Sequence, residues 1–152
     1  MLDYNLEHVM SFTVTLHPPE VIGPVSEGLR VNFYVASGEV NGPKVYGKLR
    51  PVGGDALTVR TDGVGILNVR NTIETREEAL IYAAYTGVAE LGADGYERFL
   101  RGDLPPLVPL RVVPRVQTAH PDFQWLNRLQ LLGIGEVNTE DLVVSYDVYA
   151  VR

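Results

Sequence analysis

The sequence predicts an all-β fold, a single antiparallel β-barrel of about eight to nine strands with one short helix. Short β-branched and aromatic runs alternate polar and apolar side chains with a period of two, and 15 glycines and 10 prolines are spread between these runs. Nine strands and one helix leave no room for the helical crossovers that parallel strands need, so the sheet should be antiparallel. We favour a closed barrel because barrels of about eight strands hold one small ligand.

Four strands are expected in the first half of the chain. Pro18 and Pro19 end the first of them, because proline cannot donate a ladder hydrogen bond. Asp62-Gly63 is typical of a hairpin turn that leads into the second half. The predicted strands are residues 6–17, 29–36, 44–50 and 56–61, with a Pro, Gly and Ser loop over 22–28 and turns over 38–43 and 51–55.

The second half of the chain should hold the longest strands and the helix. Asp94 would cap the helix and Gly102 would stop it. Pro109 and Pro114 indicate a kinked strand at a sheet edge or bulge. The predicted strands are residues 64–75, 79–90, 108–118, 129–137 and 142–151, with the helix over 94–102.

The chain of 152 residues has the length of one ordinary domain, so we expect one barrel domain over residues 1–152. Hydrophobic residues make up 45% and charged residues 21%, as in soluble globular proteins. No stretch is long and apolar enough to span a membrane, and no signal peptide is visible. We therefore expect a soluble cytoplasmic protein without a membrane partner.

Charge and cysteine content exclude several classes of function. The net charge is -6 and no run is rich in lysine or arginine, which argues against a nucleic-acid partner. Cysteine is absent, so disulfides, thiolate metal sites and cysteine nucleophiles are excluded. The three histidines, His8, His17 and His120, lack a metal-ligand spacing. We expect no metal and no cofactor.

The strand over residues 64–75 carries the first candidate cluster. Asn68, Arg70 and Glu74 share one face of this strand, and the apolar residues between them share the other. If the polar face pointed into the barrel, Arg70 would offer a donor fork to an oxyanion, and a desolvated Glu74 would serve as a base. The alternative is a solvated outer face with no function.

Residues 115–128 form the second cluster, a mixture of aromatic, amide, histidine and arginine side chains that is typical of a ligand rim. His120 would carry a proton near neutral pH, with Asp122 to orient it. Trp125 would stack on an aromatic ligand, and Asn127 would bind it. The alternative is a tight turn in which Trp125 plugs the core.

A third candidate is Asp55, which follows Gly53-Gly54 and would supply a site carboxylate. The alternative is a turn in which Asp55 caps backbone amides. A set of tyrosines, Tyr82 among them, either lines a cavity or packs with one satisfied hydroxyl. The other members of this set are Tyr34, Tyr46, Tyr85 and Tyr146.

One ordered series of residues runs through the chain: Gly42-Pro43, Gly47, Pro51, Gly53-Gly54-Asp55, Asp62-Gly63, Arg70, Thr72, Glu74, Leu80-Ile81-Tyr82, Gly87 and Trp125-Leu126-Asn127. In order and spacing it resembles the bacterial and fungal proteins grouped as domain of unknown function 3237, UPF0311-like small β-barrel proteins. The resemblance covers residues 6–151 and implies a compact barrel. Some fungal members of that family are associated with cofactor-free cyclisation of phenolic polyketides. The sequence departs from the family pattern over 115–122 and at Glu77-Glu78.

Together these features favour a cofactor-independent small-molecule enzyme, a proton-transfer isomerase, cyclase or lyase acting on an aromatic or enolisable substrate in the lumen. The alternatives are a non-catalytic binding barrel and a structural subunit of an oligomer. We also expect a homo-oligomer, a dimer or trimer, because the chain carries many apolar residues for its size. The residues assigned to the site are Arg70, Glu74, His120 and Asp55 for catalysis, and Asn68, Tyr82, Trp125 and Asn127 for ligand binding.

Overall fold

The computed structural model describes residues 1–152, and its strands form one antiparallel sheet that closes on itself as an eight-stranded barrel with two extra strands. This architecture confirms the predicted all-β barrel. The elements are β1 (Leu6–Leu16), β2 (Glu20–Val25), β3 (Gly28–Asn41), β4 (Gly47–Leu49), β5 (Gly54–Val59), β6 (Val64–Thr75), β7 (Leu80–Glu90), α1 (Gly95–Leu100), β8 (Leu107–Gln117), a 3-10 helix (Pro121–Arg128) that we call the plug helix, β9 (Leu131–Asn138) and β10 (Val143–Val151).

Most strands pair with their neighbours in sequence, from β6 through β7, β8 and β9 to β10. The strand β1 pairs with β10 on one side and with β3 on the other, which closes the barrel. Both β4 and β5 lie between β3 and β6, one after the other along the same gap. The strand β2 pairs with β3 alone and lies outside the closed ring.

The period of two sorts the side chains into an inner and an outer set. In β8, for example, Val108, Leu110, Val112 and Val116 are buried, and the residues between them are exposed except for the buried Pro114. Burial of such apolar side chains is the main stabilising contribution to the fold. The barrel core collects 31 buried apolar residues in one cluster.

Three segments that were predicted as turn or loop contain strand residues, and in the turn predicted over residues 51–55 the strand β5 begins at Gly54. The predicted turn over residues 38–43 is wrong, because β3 continues to Asn41. Gly38 pairs with Val14 on one side and Leu49 on the other, and a Cβ there would lie 2.9 Å from the Thr13 carbonyl oxygen. Its glycine therefore permits close approach of strands and makes no turn. The predicted loop over residues 22–28 contains the end of β2.

The two helices lie in connections between strands. α1 follows Asp94, as predicted, although the Asp94 side chain makes no capping hydrogen bond. The plug helix follows β8 and buries Phe123 and Leu126 in the barrel core. Neither helix has the length and apolar run that crossing a bilayer needs.

Candidate functional site

A cavity of about 410 Å³ occupies the barrel interior. Of its 26 lining residues, 19 are hydrophobic, since the inward positions of the strands are mainly aliphatic. Val21, Gly102 and Glu140 line it and are also exposed, so the cavity meets solvent beside β2, the end of α1 and the β9–β10 turn. An apolar pocket of this size suits a small organic ligand.

Four strands each place one polar side chain in this wall, namely Asp55, Asn71, Tyr85 and Tyr146, and Thr139 and Glu140 line it from the β9–β10 turn. The Asn71 Nδ2 donates to the Tyr85 hydroxyl at 3.4 Å. The Asn71 Oδ1 and the Tyr146 hydroxyl are buried without any hydrogen-bond partner. Since an unpaired buried polar group costs about 1–3 kcal/mol, these atoms are available to a ligand that pairs with them.

Asp55 is the acid of this cluster. Its Oδ1 accepts a hydrogen bond from the Asn68 backbone N–H at 2.9 Å. Burial raises the pKa of Asp55 to about 6, although the Asn68 hydrogen bond and the Arg30 charge act in the opposite direction. The Asp55 carboxyl therefore changes its charge close to neutral pH, where an ordinary aspartate would be fully ionised.

The two tyrosines stay protonated near neutral pH. Burial raises the pKa of both Tyr85 and Tyr146, and the nearby Asp55 charge raises each further. Their rings meet edge to face, with centroids 5.9 Å apart. Tyr146 has room for its ring because its neighbour on β9 is Gly135, where a Cβ would lie 2.4 Å from the Tyr146 ring.

The prediction that Asn68, Arg70 and Glu74 face the lumen is wrong. These residues do share one face of β6, but it is the outer face, because Leu67, Val69 and Ile73, on the opposite face, fill the core. The Arg70 Nη1 donates to the Asn68 Oδ1 at 2.8 Å on the surface. None of these three side chains lines the cavity.

Glu74 has cationic partners on the same outer face. Its Oε2 lies 3.8 Å from the Lys48 Nζ and 4.0 Å from the Arg50 Nε. These contacts match the alternative interpretation of the strand, a solvated outer face, with Lys48 and Arg50 as the partners of Glu74.

The prediction that His120 and Trp125 lie at the mouth of the cavity is also wrong. Neither residue lines the cavity, and Asn127 does not line it either. The plug helix lies at its end of the barrel and packs Phe123 and Leu126 into the core there.

The polar groups of this segment bond to their own backbone instead. The Asn127 side chain accepts from the Thr118 N–H and donates to the Thr118 carbonyl, both at 2.8 Å. The His120 Nδ1 accepts from the Asp122 backbone N–H at 3.3 Å, so the Asp122 carboxylate does not orient the imidazole. Trp125 donates from Nε1 to the Asp122 carbonyl at 3.1 Å and packs against the core.

Asp55 is thus the one residue of the predicted site that lines the cavity. Tyr82 is exposed on the outer face of β7, whereas Tyr85 and Tyr146, from the same set of tyrosines, are inside. Sequence reasoning missed Asn71, whose signal was an amide in the middle of the mainly apolar inward face of β6, a face that has one other polar side chain, Thr75. No group of three His, Asp or Glu side chains is placed to hold a metal ion.

Comparison with known proteins gives matches over nearly the whole chain. The family model described as "Protein of unknown function (DUF3237)" matches residues 4–151. A protein named UPF0311 protein from Rhodopseudomonas palustris is 28% identical over 145 residues, which are 93% of this chain and 95% of that protein.

Two crystal structures show the same fold. A protein with unknown function from Clostridium acetobutylicum superposes with a TM-score of 0.89 at 26% identity, over 99% of this chain and 100% of that one. A structure described as an enzyme from Penicillium herquei has a TM-score of 0.72 at 18% identity, over 100% of this chain and 97% of that one. At that identity the second likeness concerns the fold alone.

Proposed function

The chain belongs to the DUF3237 family, and we propose that it is a cofactor-independent enzyme that moves a proton on a small, uncharged aromatic or enolisable molecule bound in the lumen. The observation that carries this proposal is the Asp55 carboxyl, which sits in the apolar cavity wall with its pKa raised to about 6. A general base works best when its pKa lies near the working pH.

Asp55 would act as the base of the reaction. At pH 7 most of its population is ionised, yet the carboxylate is more basic than one in water. It would take a proton from a carbon next to a carbonyl group, or from a phenol, and the bonding electron pair would move to the oxygen. The product of this step is an enolate or phenolate beside a neutral Asp55.

The Tyr85 and Tyr146 hydroxyls would stabilise that anion. Both line the cavity, and Tyr146 has no partner within the protein. Donors that are already in place where negative charge develops lower the barrier. Return of the proton from Asp55 to a different atom completes an isomerisation. Attack of the anion on another part of the same molecule, with the proton returned there, completes a cyclisation.

The charge of the lining favours uncharged substrates. None of the 26 lining residues is lysine, arginine or histidine, and the acids Asp55 and Glu140 are among them. An anionic ligand would lose its hydration without gaining a cation in return. The Arg70 guanidinium, expected to bind an oxyanion, is outside the wall. The Penicillium herquei structure supports the proposal at the level of fold, since a barrel of this shape is described there as an enzyme.

The test is exchange of the α-protons of 2-tetralone in D₂O, followed by proton NMR. We expect the wild type to accelerate exchange, and Asp55→Asn to slow it by about 10²–10⁴-fold, as for loss of a general base. Glu74→Gln is the matched control, because Glu74 is an acid on the outer face of the same wall. Equal rates in wild type and Asp55→Asn would contradict the proposal.

The alternative, a barrel that binds its ligand without chemistry, is favoured by the 19 hydrophobic residues among the 26 that line the cavity. In that case 2-tetralone would bind saturably, measured by its chemical-shift changes, while its exchange rate stayed at the buffer value. The open cavity speaks against a purely structural subunit, whose barrel would be filled by side chains.

Self-association as a dimer or trimer is a further part of the proposal. Val88, Arg111 and Ile134 are in register across β7, β8 and β9, and the two apolar ones are exposed with Val113 beside them. This exposed patch would be covered in an oligomer. Sedimentation velocity at micromolar concentration should show a dimer or trimer that Val113→Asp dissociates, and a wild-type monomer would refute it.

A further inference from the structure

The β5–β6 ladder is interrupted beside Asp55. Pairs join Asp55 to Val69 and then Thr58 to Ile66, but Ala56 and Leu57 have no partner on β6. We call this interruption the seam. The Asn68 N–H at the seam donates to the Asp55 carboxylate instead of to a β5 carbonyl. Asp55 is therefore anchored in the wall by a backbone group that the ladder has left free.

Arg30 lies on the other side of the same seam. It belongs to the outer face of β3, opposite Thr58, while its neighbours Leu29 and Val31 are buried in the core. The Arg30 Nη1 donates to the Ala56 carbonyl at 3.0 Å. Two backbone groups of the seam are thus bonded to side chains. The Asn68 N–H donates to the Asp55 carboxylate, and the Ala56 carbonyl accepts from the Arg30 guanidinium.

We propose that Arg30 is a positioning residue for Asp55 that acts from the outer surface through the barrel wall. It holds the Ala56 carbonyl away from Asn68, which leaves the Asn68 N–H to Asp55, and it places a permanent positive charge behind the carboxylate. The consequence for catalysis rests on the proposed function, because it requires Asp55 to be the base.

Among the titratable groups around Asp55, Arg30 is the cation whose charge acts on the carboxylate. From β6, Arg70 is turned to its own strand and bonds to the Asn68 Oδ1 and the Val69 carbonyl. Across the cavity, the pKa values of Tyr85 and Tyr146 are raised, so both are neutral. The Arg30 charge lowers the pKa of Asp55 against the effect of burial.

Arg30 is free of competing ion pairs. None of the seven ion pairs in the structure includes it, and its guanidinium contacts the Ala56 carbonyl. No carboxylate therefore neutralises this charge by direct pairing, and the charge lowers the pKa of Asp55 and of the exposed Glu27. Arg30 would extend the working range of the base to lower pH, since more Asp55 is ionised when the cation is present.

The test is a titration of the free protein with ¹³C-labelled aspartate carboxyls, with the Asp55 signal assigned from Asp55→Asn. We expect Arg30→Gln to raise the Asp55 midpoint by about one pH unit, the size of a nearby charge effect. Arg30→Lys should restore most of the wild-type value because it keeps the charge. Arg30→Met keeps the aliphatic stem and replaces Arg30→Gln if that variant does not fold.

Arg70→Gln is the matched control, since it removes a cation from the outer face of the adjoining strand. We expect its Asp55 midpoint to equal that of the wild type. An unchanged midpoint in Arg30→Gln, or an equal rise in Arg70→Gln, would overturn the proposal.

The same variants separate this inference from the proposed function. If Asp55 is the base, the low-pH limb of the 2-tetralone exchange rate moves with the Asp55 midpoint in Arg30→Gln. If no variant shows exchange but the midpoint still moves, the proposed function fails and the action of Arg30 on Asp55 stands.

Discussion

The two ends of the barrel differ in how their polar groups are paired. At the closed end, Asn127 uses both atoms of its amide on Thr118, and His120 caps the plug helix. In the cavity wall, Asn71 keeps an unpaired Oδ1 and Tyr146 an unpaired hydroxyl. The closed end is rich in aromatic and polar residues, yet its polar side chains bond to backbone groups of the same segment. What distinguishes a site is polar groups without partners, and no local sequence pattern shows that.

The largest expected effect is a difference in the loss of stability between a core substitution in the plug helix and one beside the cavity. Leu126 is 1% exposed in the plug and Leu57 is 7% exposed beside the cavity. Leu126→Ala should lower the free energy of unfolding by about 4 kcal/mol, because it opens a new void. Leu57→Ala enlarges a space that already exists and should cost about 2 kcal/mol. Urea unfolding measures both, and equal losses would mean that the cavity end is as tightly packed as the plug.

The next effect is the dependence of stability on pH. The pKa of Asp55 is about 6 in the folded protein and ordinary in the unfolded chain, so the folded state holds its proton longer. This stabilisation is complete below the unfolded pKa and is lost as pH rises through the folded value. Between pH 4.5 and 7 the wild type should lose about 2 kcal/mol relative to Asp55→Asn.

Urea unfolding at each pH measures this difference. Leu126→Ala, which changes the closed end, should retain the wild-type dependence on pH. A difference between wild type and Asp55→Asn that does not change with pH would show that Asp55 ionises as an ordinary carboxyl.

A smaller effect is expected from replacing the two asparagines, Asn127 at the closed end and Asn71 in the cavity wall. Asn127→Ala removes two hydrogen bonds and should cost about 1–2 kcal/mol of stability, with no change in the affinity for 2-tetralone. Asn71→Leu removes one long hydrogen bond, to the Tyr85 hydroxyl at 3.4 Å, together with an Oδ1 that is already unpaired, so it should cost less stability than Asn127→Ala. The affinity of Asn71→Leu for 2-tetralone should fall. A large loss of stability with unchanged affinity would show that Asn71 stabilises the fold and does not bind the ligand.

The sequence predicted the strand β6 with its correct bounds and β7 to within one residue, because alternation and turn residues are local properties. It also grouped Asn68, Arg70 and Glu74 correctly on one face. The alternation does not indicate which face lies inside the barrel, and the expectation that the polar face of β6 points into the lumen was wrong. The core selects the apolar face, since burying Leu67 and Val69 stabilises the barrel and burying Arg70 would not.

Other parts of the site depend on pairing between distant strands. Tyr146 enters the cavity wall because Gly135 lies opposite it on β9. Asp55 is anchored because the ladder between β5 and β6 breaks at its next residue. Such registers are set by closure of the whole barrel, and no motif within one strand encodes them.

The smallest expected effect is at the closed end, where the fluorescence of Trp125 should not change when a ligand binds in the cavity. Trp125 is the sole tryptophan, its indole donates to the Asp122 carbonyl on the plug helix, and it is not among the residues that line the cavity. Indole fluorescence depends on the immediate surroundings of the ring, so a ligand that fills the cavity should leave it unchanged. Arg70→Ala should likewise leave the affinity for 2-tetralone within experimental error of the wild type, because Arg70 contacts Asn68 and Val69 on the outer face. Parallel titrations by tryptophan emission and by ligand chemical shift check both statements. A fluorescence change that saturates with the chemical-shift curve would show that ligand binding reaches the plug helix, and the separation of the two ends would then have to be abandoned.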